Sequence, residues 1–394
     1  MSRHPQDATA TRMLADRTGT DPADWFLVFK ARYGMEVVFR ALAEARGAGD
    51  VVTQVFTCST AVDPVLVAGL RPVYAEVSPA TVAIDPDRLA VGPATRAVVL
   101  QNTFGIVDDA TALRLRDAAR SVGALLLEDS AHCVTRLTRD ADGKPVADVS
   151  FHSFGVEKML PTRFGGAVWV SPSLDPALRA AIVSALDALP VVGARLDLAA
   201  RSFRTQVRVL NRLPGAAAGK VRGALTAVGA YEPAIAPVEN RGGLAHPPQR
   251  PSSWVLRQMV DALRSSGDVE ARRADTVAEY VRGLSDVVEV PAGIGERAPL
   301  VRFPFFAPDA ATADRLVAEL AAAGFYVGKW YRPALFPGPD DPAVYGYTPG
   351  DPALATTEDL VARVVNLPTT VGVATARRVV EAVRSALGAS PAVV

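Results

Sequence analysis

The chain has 394 residues, an apolar fraction of 49% and 42 acids against 42 bases. That is enough for one large or two ordinary domains with substantial cores, and the zero net charge gives no pointer to nucleic acid or another polyanion. Cys58 and Cys133 make no disulfide framework, the N-terminus lacks an apolar core of signal-peptide length, and no run of about 18 apolar residues occurs, so the expectation is a cytoplasmic chain without a transmembrane segment.

Residues 1–24 read as a polar N-terminal arm. From 34 to 170, strands and helices alternate. "MEVVFRALAEARGAG" has helical spacing and ends at glycine; "DVVTQVF" and "RPVYAEV" are short β-branched runs with a helical stretch between them. "TRAVVLQNTF" is a strand, "DATALRLRDAARSVG" an amphipathic helix, and "ALLLEDS" a continuous apolar strand closed by acids. "VSFHSFG" and "GGAVWVSP" follow as two more strands. Strands spaced by such helices imply parallel βαβ units with both sheet faces covered. Residues 174–232 change character: they are helical, alanine-rich and basic, with seven basic residues and one acid, Asp197, between Arg195 and Arg222. They read as solvated helix faces or as the wall of a substrate entrance that meets phosphates or an anionic membrane surface. A Pro/Gly-rich loop spans 234–253, and one long helix is expected from Trp254 to Leu284. "VVEVPA", "PLVRFPFFAP", "AATADRLVAELAAAG", "FYVGKW" and "VARVVNLPTT" then build a smaller α+β unit, interrupted by a long Pro-rich loop at 331–354. The domain reading is an arm at 1–24, a large α/β domain at 25–253, and a linking helix with a small α+β domain at 254–394.

In doubly wound sheets, ligands sit beyond the carboxyl ends of the strands. Asp129 closes "ALLLED", Asn102 and Thr103 close "AVVLQNT", Thr57 and Cys58 follow "VVTQVF", and Ser153 and Lys158 follow "DVSFHSF". Gly34 is placed just before the first large-domain helix, where backbone N–H groups hold anions. Lys158, five residues after Ser153 and shortly before Gly165–Gly166, is either a solvated surface lysine or a nucleophile for a carbonyl. An anion seat, a buried carboxylate, hydroxyls and one lysine together suit pyridoxal 5'-phosphate. The four histidines have no metal-ligand spacing, so no metal is expected. Cys58 reads more simply as a small buried hydrophobe than as a catalytic thiol. Trp330, Tyr331 and Arg332 either frame the substrate or belong to the small core.

The order "GMEVVFRAL … TQVFTCSTAVDPVLVAGLRPVYAEV … VVLQNTFG … LLLEDSAH … FHSFGVEK … GGAVWV" resembles the DegT/DnrJ/EryC1/StrS aminotransferases, best over residues 30 to 172 and poorly over 175–250. The resemblance implies a fold-type-I architecture: a large, mostly parallel seven-stranded sheet domain that binds pyridoxal phosphate, plus a smaller C-terminal α+β domain. It implies that Lys158 forms the Schiff base and moves the proton, and that Asp129 pairs with the ring nitrogen. It puts His132 near the cofactor hydroxyl, Ser153 on the phosphate, and Gly34 and Met35 at the family's phosphate-binding Gly-Thr. Cys58 stands where the family stacks an aromatic on the cofactor ring. Gly155, Met159 and Arg163 depart from family habit around the lysine. The partner-reaching "NYRMSE" survives only as "QRPSS": Arg250 and Ser252 match its Arg and Ser, Pro248 stands at its Asn, and Asn240 is a spatial substitute for that Asn. The implied function is a homodimeric aminotransferase that moves an amino group from an amino acid, glutamate or glutamine, to a keto substrate, most often a nucleotide-linked keto-sugar. The alternatives are an enzyme of the same fold and cofactor with a non-sugar substrate (other transamination, decarboxylation or aldol-type chemistry), or a non-catalytic binding protein.

Overall fold

A computed structural model describes residues 5–388. Helix α1 (Pro5–Thr18) leads into β1 (Trp25–Val28), α2 (Ala31–Arg46), β2 (Asp50–Thr53), α3 (Asp63–Val67) and β3 (Arg71–Tyr74). Then come β4 (Thr95–Gln101), α4 (Asp109–Ser121), β5 (Leu125–Ser130), β6 (Val149–Ser153) and β7 (Gly166–Val170). Helices α5 (Pro176–Asp187), α6 (Ala194–Leu210), α7 (Gly215–Ala227), α8 (Ser253–Arg264) and α9 (Ser266–Leu284) follow. The chain closes with β8 (Arg302–Phe306), α10 (Ala310–Ala322), α11 (Ala355–Arg363), β9 (Val364–Pro368) and α12 (Val373–Ala386).

Strands β1 to β7 form one seven-stranded sheet in the order β1-β7-β6-β5-β4-β2-β3. The α/β, mostly parallel reading holds, with one amendment: β7 runs antiparallel to both β6 and β1. The segment from Ser153 to Gly166 carries no helix, so the chain returns beside the strand it left instead of crossing over. Every residue of β5, β6 and β7 is buried, as strands covered on both faces require. One face packs Met35, Val38 and Phe39 of α2 and Ile182 of α5; the other packs Leu115 and Ala119 of α4. Helix α4 starts where Asp108 accepts the Thr111 N–H, and the chain leaves it through Gly123 at φ +74°.

Residues 5–18, expected as a polar arm, are instead helical. Ala10, Leu14 and Ala15 pack with Val255, Leu256 and Met259 of α8 in one core, because small apolar side chains recur on one face of an otherwise polar sequence. The single long helix expected over 254–284 is two. Ser265 Oγ donates to the Ala262 carbonyl and Ser266 Oγ to that of Leu263, so local side-chain bonds compete with the helical ladder. In the C-terminal unit, β8 and β9 form a two-stranded antiparallel sheet. "VVEVPA" and "FYVGKW" contribute only the single bridges Glu289–Phe306 and Gly328–Asn366.

Two glycines join the sheet to α2. Gly165 has φ +114°, a region that disfavours side chains, and a Cβ there would lie 2.7 Å from Met259 Sδ. A Cβ on Gly166 would lie 2.5 Å from the Ala31 backbone nitrogen, so β7 and the start of α2 touch backbone to backbone. Gly166→Ala therefore forces α2 off the sheet. The expected loss is about 1–3 kcal/mol of unfolding free energy, the scale of overpacking, read from urea denaturation against the wild-type chain.

Candidate active site

A cavity of about 360 Å³ opens beyond the carboxyl ends of β4, β5 and β6, where the start of α2 meets residues 330–336. Its size is that of a small-molecule site. Strand parity decides which side chains enter it. Gln101 of β4 sits beside Asp129 of β5, which sits beside Phe151 of β6; Ser153 lies two residues on, on the same face. Gln101, Asp129 and Ser153 accordingly line the cavity.

Of the residues singled out from sequence, Met35, Cys58, Asp129, His132, Ser153 and Lys158 line this cavity. Asn102 does not. It belongs to the opposite parity and donates Nδ2 to Glu128 Oε1 (2.9 Å) and Ser130 Oγ (3.0 Å) behind the sheet. The strand-end residue that faces the site is Gln101, hydrogen-bonded to the Thr57 hydroxyl and, through Nε2, to Thr103 Oγ1 at 2.8 Å. Gly34 is also displaced from its expected place. Helix α2 begins at Ala31, so Gly34 lies a turn inside it, where a Cβ would meet Val168 Cγ2 at 2.4 Å. Its role is close packing of helix on sheet. The first-turn amides are those of Ala31 and Arg32, and both residues border the cavity. Met35 reaches the cavity from the helix's second turn.

The turn after β6 shapes the lysine's seat. Gly155 donates its N–H to Ser153 Oγ (3.2 Å), and a Cβ on it would crowd that oxygen at the same distance. Glu157, at φ +61°, holds the left-handed region immediately before Lys158, and Arg163 does the same at φ +89°. Arg302 of β8, itself 5% exposed, donates to Glu157 Oε2 (2.8 Å) and to the Tyr326 hydroxyl (2.8 Å).

Electrostatics in the cavity are set by desolvation. Burial pushes the Lys158 amine below its ordinary value, and the Arg32 guanidinium pushes the same way; Cys58, Asp129 and Glu157 oppose them. Burial raises the Asp129 carboxyl, against the Ala131 N–H it accepts at 3.0 Å and the pull of Lys158. His132 is held well below its usual range by burial, then by Lys158 and Arg302. Its Nδ1 accepts the Phe104 N–H (2.9 Å), so the neutral ring carries its proton on Nε2 and donates to the Tyr331 hydroxyl (2.9 Å). The Trp330 ring lies parallel to His132 at 5.2 Å, and Lys158 Nζ lies 5.2 Å from the Trp330 ring centre.

Sequence reasoning found Thr57, which lines the cavity, but missed Lys30, Arg32 and Gln101. Lys30 pairs with Glu232, which also accepts from His246 at 2.9 Å; Arg32 pairs with Glu239 at 2.6 Å. The available signal was "FKAR", two cations straddling the junction of β1 and α2. The "QRPSS" segment does not enter this chain's own cavity. Arg250 pairs with Asp7 at 2.6 Å and Ser252 caps α8. Asn240 lies outside the cavity lining, its backbone carbonyl taken by the Asp340 N–H.

The donor set fits pyridoxal phosphate. A lysine with a depressed pKa, a buried carboxylate without an ion pair among the described residues, the Ser153 hydroxyl and two helix-start amides meet in one cavity. Among the described residues, no helix is long and apolar enough to cross a membrane.

Residues 30–187 match the DegT/DnrJ/EryC1/StrS aminotransferase family. A dTDP-4-dehydro-2,3,6-trideoxy-D-glucose 4-aminotransferase of Saccharopolyspora spinosa is 28% identical over 176 residues, 44% of each chain. The L-glutamine:2-deoxy-scyllo-inosose aminotransferase of Streptomyces kanamyceticus is 32% identical over 138 residues, 34% of this chain and 30% of that one. The chain thus matches less than half the length of these relatives. The crystal structure of NtdA from Bacillus subtilis, with bound cofactor PMP, shares the fold at a TM-score of 0.68 and 16% identity, covering 98% of this chain and 78% of that one.

Because burial lowers the Lys158 pKa, the folded chain holds fewer protons than the unfolded one between that lowered value and the ordinary lysine range near 10.4. The resulting penalty is present at neutral pH and fades as pH rises toward that range. Lys158→Met in the cofactor-free chain is expected to raise the melting temperature by a few degrees at pH 7, with the gain shrinking by pH 10, as thermal melts across that range would show.

Proposed function

We propose that this chain, which belongs to the DegT/DnrJ/EryC1/StrS aminotransferase family, is a pyridoxal-phosphate-dependent aminotransferase that passes an amino group from an amino acid to a keto-sugar linked to a nucleotide. The observation that carries the reading is Lys158, held with a depressed pKa in a cavity floored by Asp129. The curated relatives named for a dTDP-linked sugar and for L-glutamine support the acceptor class and a glutamate or glutamine donor. The homodimer follows from the family's habit of composite sites, and the two free cysteines, Cys133 buried, suit a reducing cytoplasm.

When bound, pyridoxal phosphate supplies a carbonyl that condenses with amines and a ring that takes up the electron pair left on the substrate carbon. The chain's part is to bind, to exclude water and to move protons. Ser153 Oγ and the Ala31 and Arg32 amides suit the phosphate. The Asp129 carboxylate suits a protonated ring nitrogen, whose charge would return the carboxyl from its raised pKa toward ionisation. Lys158 Nζ, whose pKa burial lowers, accepts the proton from the substrate carbon and returns it one position away. His132, fixed as the Nε2–H tautomer between Phe104 and Tyr331, presents a neutral ring edge that adds no charge to the site.

Purified chain incubated with pyridoxal phosphate is expected to gain a visible absorbance band. Borohydride should fix the cofactor's mass on the Lys158 peptide, and Lys158→Ala should abolish both signals. Glutamate or glutamine should then bleach the band. Asp129→Ala is expected to keep the band but slow bleaching by about 10²-fold or more, the scale of a lost charge partner. A chain that takes up no cofactor by either measure would overturn the reading.

A further inference from the structure

The hydrogen bonds around His132 leave one donor over. Its Nδ1 accepts the Phe104 N–H at 2.9 Å, so Nε2 carries the proton and donates to the Tyr331 hydroxyl at 2.9 Å. Both ring nitrogens are thereby engaged within the chain, and neither can reach a ligand without giving up its partner. The Tyr331 oxygen accepts from His132, so its own proton points elsewhere, and among the described residues that proton has no acceptor. Tyr331 is 4% exposed and lines the cavity. Its ring is held from several sides. Phe56 and Phe336 meet it edge to face at 5.8 and 6.3 Å, and Phe104 lies against it at 6.0 Å. A buried O–H without an acceptor costs about as much as a lost hydrogen bond, and a ligand oxygen that accepts it relieves that cost.

We propose that Tyr331 donates its hydroxyl proton to the ring oxygen of pyridoxal phosphate, taking the place that the family resemblance gives to His132. The inference rests on the cofactor reading above. Three groups fix how the ring would lie: Asp129 suits its nitrogen, Lys158 its carbonyl carbon, and Ser153 with the α2 amides its phosphate arm. On a pyridine ring so substituted, the hydroxyl neighbours the carbonyl carbon on the side away from the phosphate arm. The sheet order offers the same two sides. Ser153 ends β6, on one side of β5 and its Asp129. Phe56 and Phe104, two of the rings that hold Tyr331, follow β2 and β4, on the other side. His132 is then a positioning residue: its Nε2–H occupies one lone pair of the tyrosine oxygen and leaves the O–H free for the cavity. Burial raises the Tyr331 pKa, so the phenol stays protonated and remains a donor. A neutral donor facing a negative oxygen out of water makes a hydrogen bond of the strong, charge-assisted kind.

The test is a pH titration of the visible absorbance of the cofactor-loaded chain. A donor to the ring oxygen stabilises the form in which that oxygen is negative and shares no proton with the Lys158 nitrogen. It therefore lowers the pH at which the bound cofactor loses its proton. Tyr331→Phe keeps the ring and its packing, and is expected to move that midpoint up by about one pH unit or more, the scale of one charge-assisted hydrogen bond. A fluorinated tyrosine at position 331, a stronger donor of nearly the same shape, should move it down. Opposite signs from two rings of one shape are what a structural role would not give. Calorimetry supplies a second reading: Tyr331→Phe should weaken binding of pyridoxal phosphate about tenfold, and leave binding of the analogue without the ring hydroxyl unchanged. A wild-type chain that gains no visible band would sink the cofactor reading and this inference with it. A wild-type chain that gains the band would overturn the Tyr331 contact alone if both replacements leave the midpoint in place or move it the same way. Equal loss of affinity for cofactor and analogue would do the same.

Discussion

An amine buried without a carboxylate in contact is the constraint on which the rest of this structure depends. Lys158 keeps its place because the chain around it is locked by other means. Gly165 turns where a side chain would strike Met259, Gly166 lets β7 touch the start of α2, and Arg302 anchors Glu157 from the second sheet. None of these contacts neutralises the lysine. A surface salt bridge would have been the easier arrangement, but it would have left the amine charged and unreactive. Burial lowers the pKa of the amine and so favours its free-base form, and the cost to stability is spread over a turn whose geometry is otherwise well fixed.

Residues 330–336 complete the cavity. The position after β2 where the family places an aromatic holds Cys58, whose thiol accepts from Thr60 Oγ1 at 3.0 Å. Flat apolar surface enters from the other wall. Trp330 lies parallel to His132, and Tyr331 closes the hydrogen bond to His132 Nε2 while packing on Phe56 and Phe104. The backbone reinforces the joint: Leu335 and Phe336 donate N–H bonds to the Val55 and Thr57 carbonyls. The Phe104 N–H fixes the His132 tautomer, and the partner for its Nε2–H is a residue about two hundred positions away in the chain. The large sheet alone would leave the histidine, the lysine and the carboxylate facing solvent.

How much of this was legible in the sequence follows from how local each signal is. Continuous apolar runs closed by polar residues located β4, β5 and β6, and the lysine, Asp129 and Ser153 came with them. Parity at a strand end is a one-residue distinction, and it separates Gln101 from Asn102. The start of α2 has no Ser, Thr, Asp or Asn cap, since Lys30 precedes it, so Gly34 looked like the boundary and proved to be a packing residue. β1 was invisible because "WFLV" gives four apolar residues and no alternation, and its pairing with β7 is non-local. The serine pair between α8 and α9 was readable but outweighed by helical periodicity on both sides. The ion pairs of Lys30 and Arg32 join positions about two hundred residues apart, which no single-sequence pattern encodes.

The cavity's charge pattern gives it a direction. Around the lysine, desolvation drives four groups toward their neutral forms, Lys158 and His132 down and Asp129 and Tyr331 up, whereas Glu239 holds the Arg32 guanidinium charged. The start of α2 brings two cations, Lys30 and Arg32, to the cavity wall, each paired with a glutamate. A molecule with one anionic end and one carbonyl end meets opposite conditions at the two depths. Burying its anion beside the Asp129 carboxylate would cost several kcal/mol, whereas near the start of α2 the anion meets helix-start amides and the cations of Lys30 and Arg32. The carbonyl bears no net charge and loses little on entering. The gradient of desolvation thus orients such a substrate before any specific contact to its sugar is made.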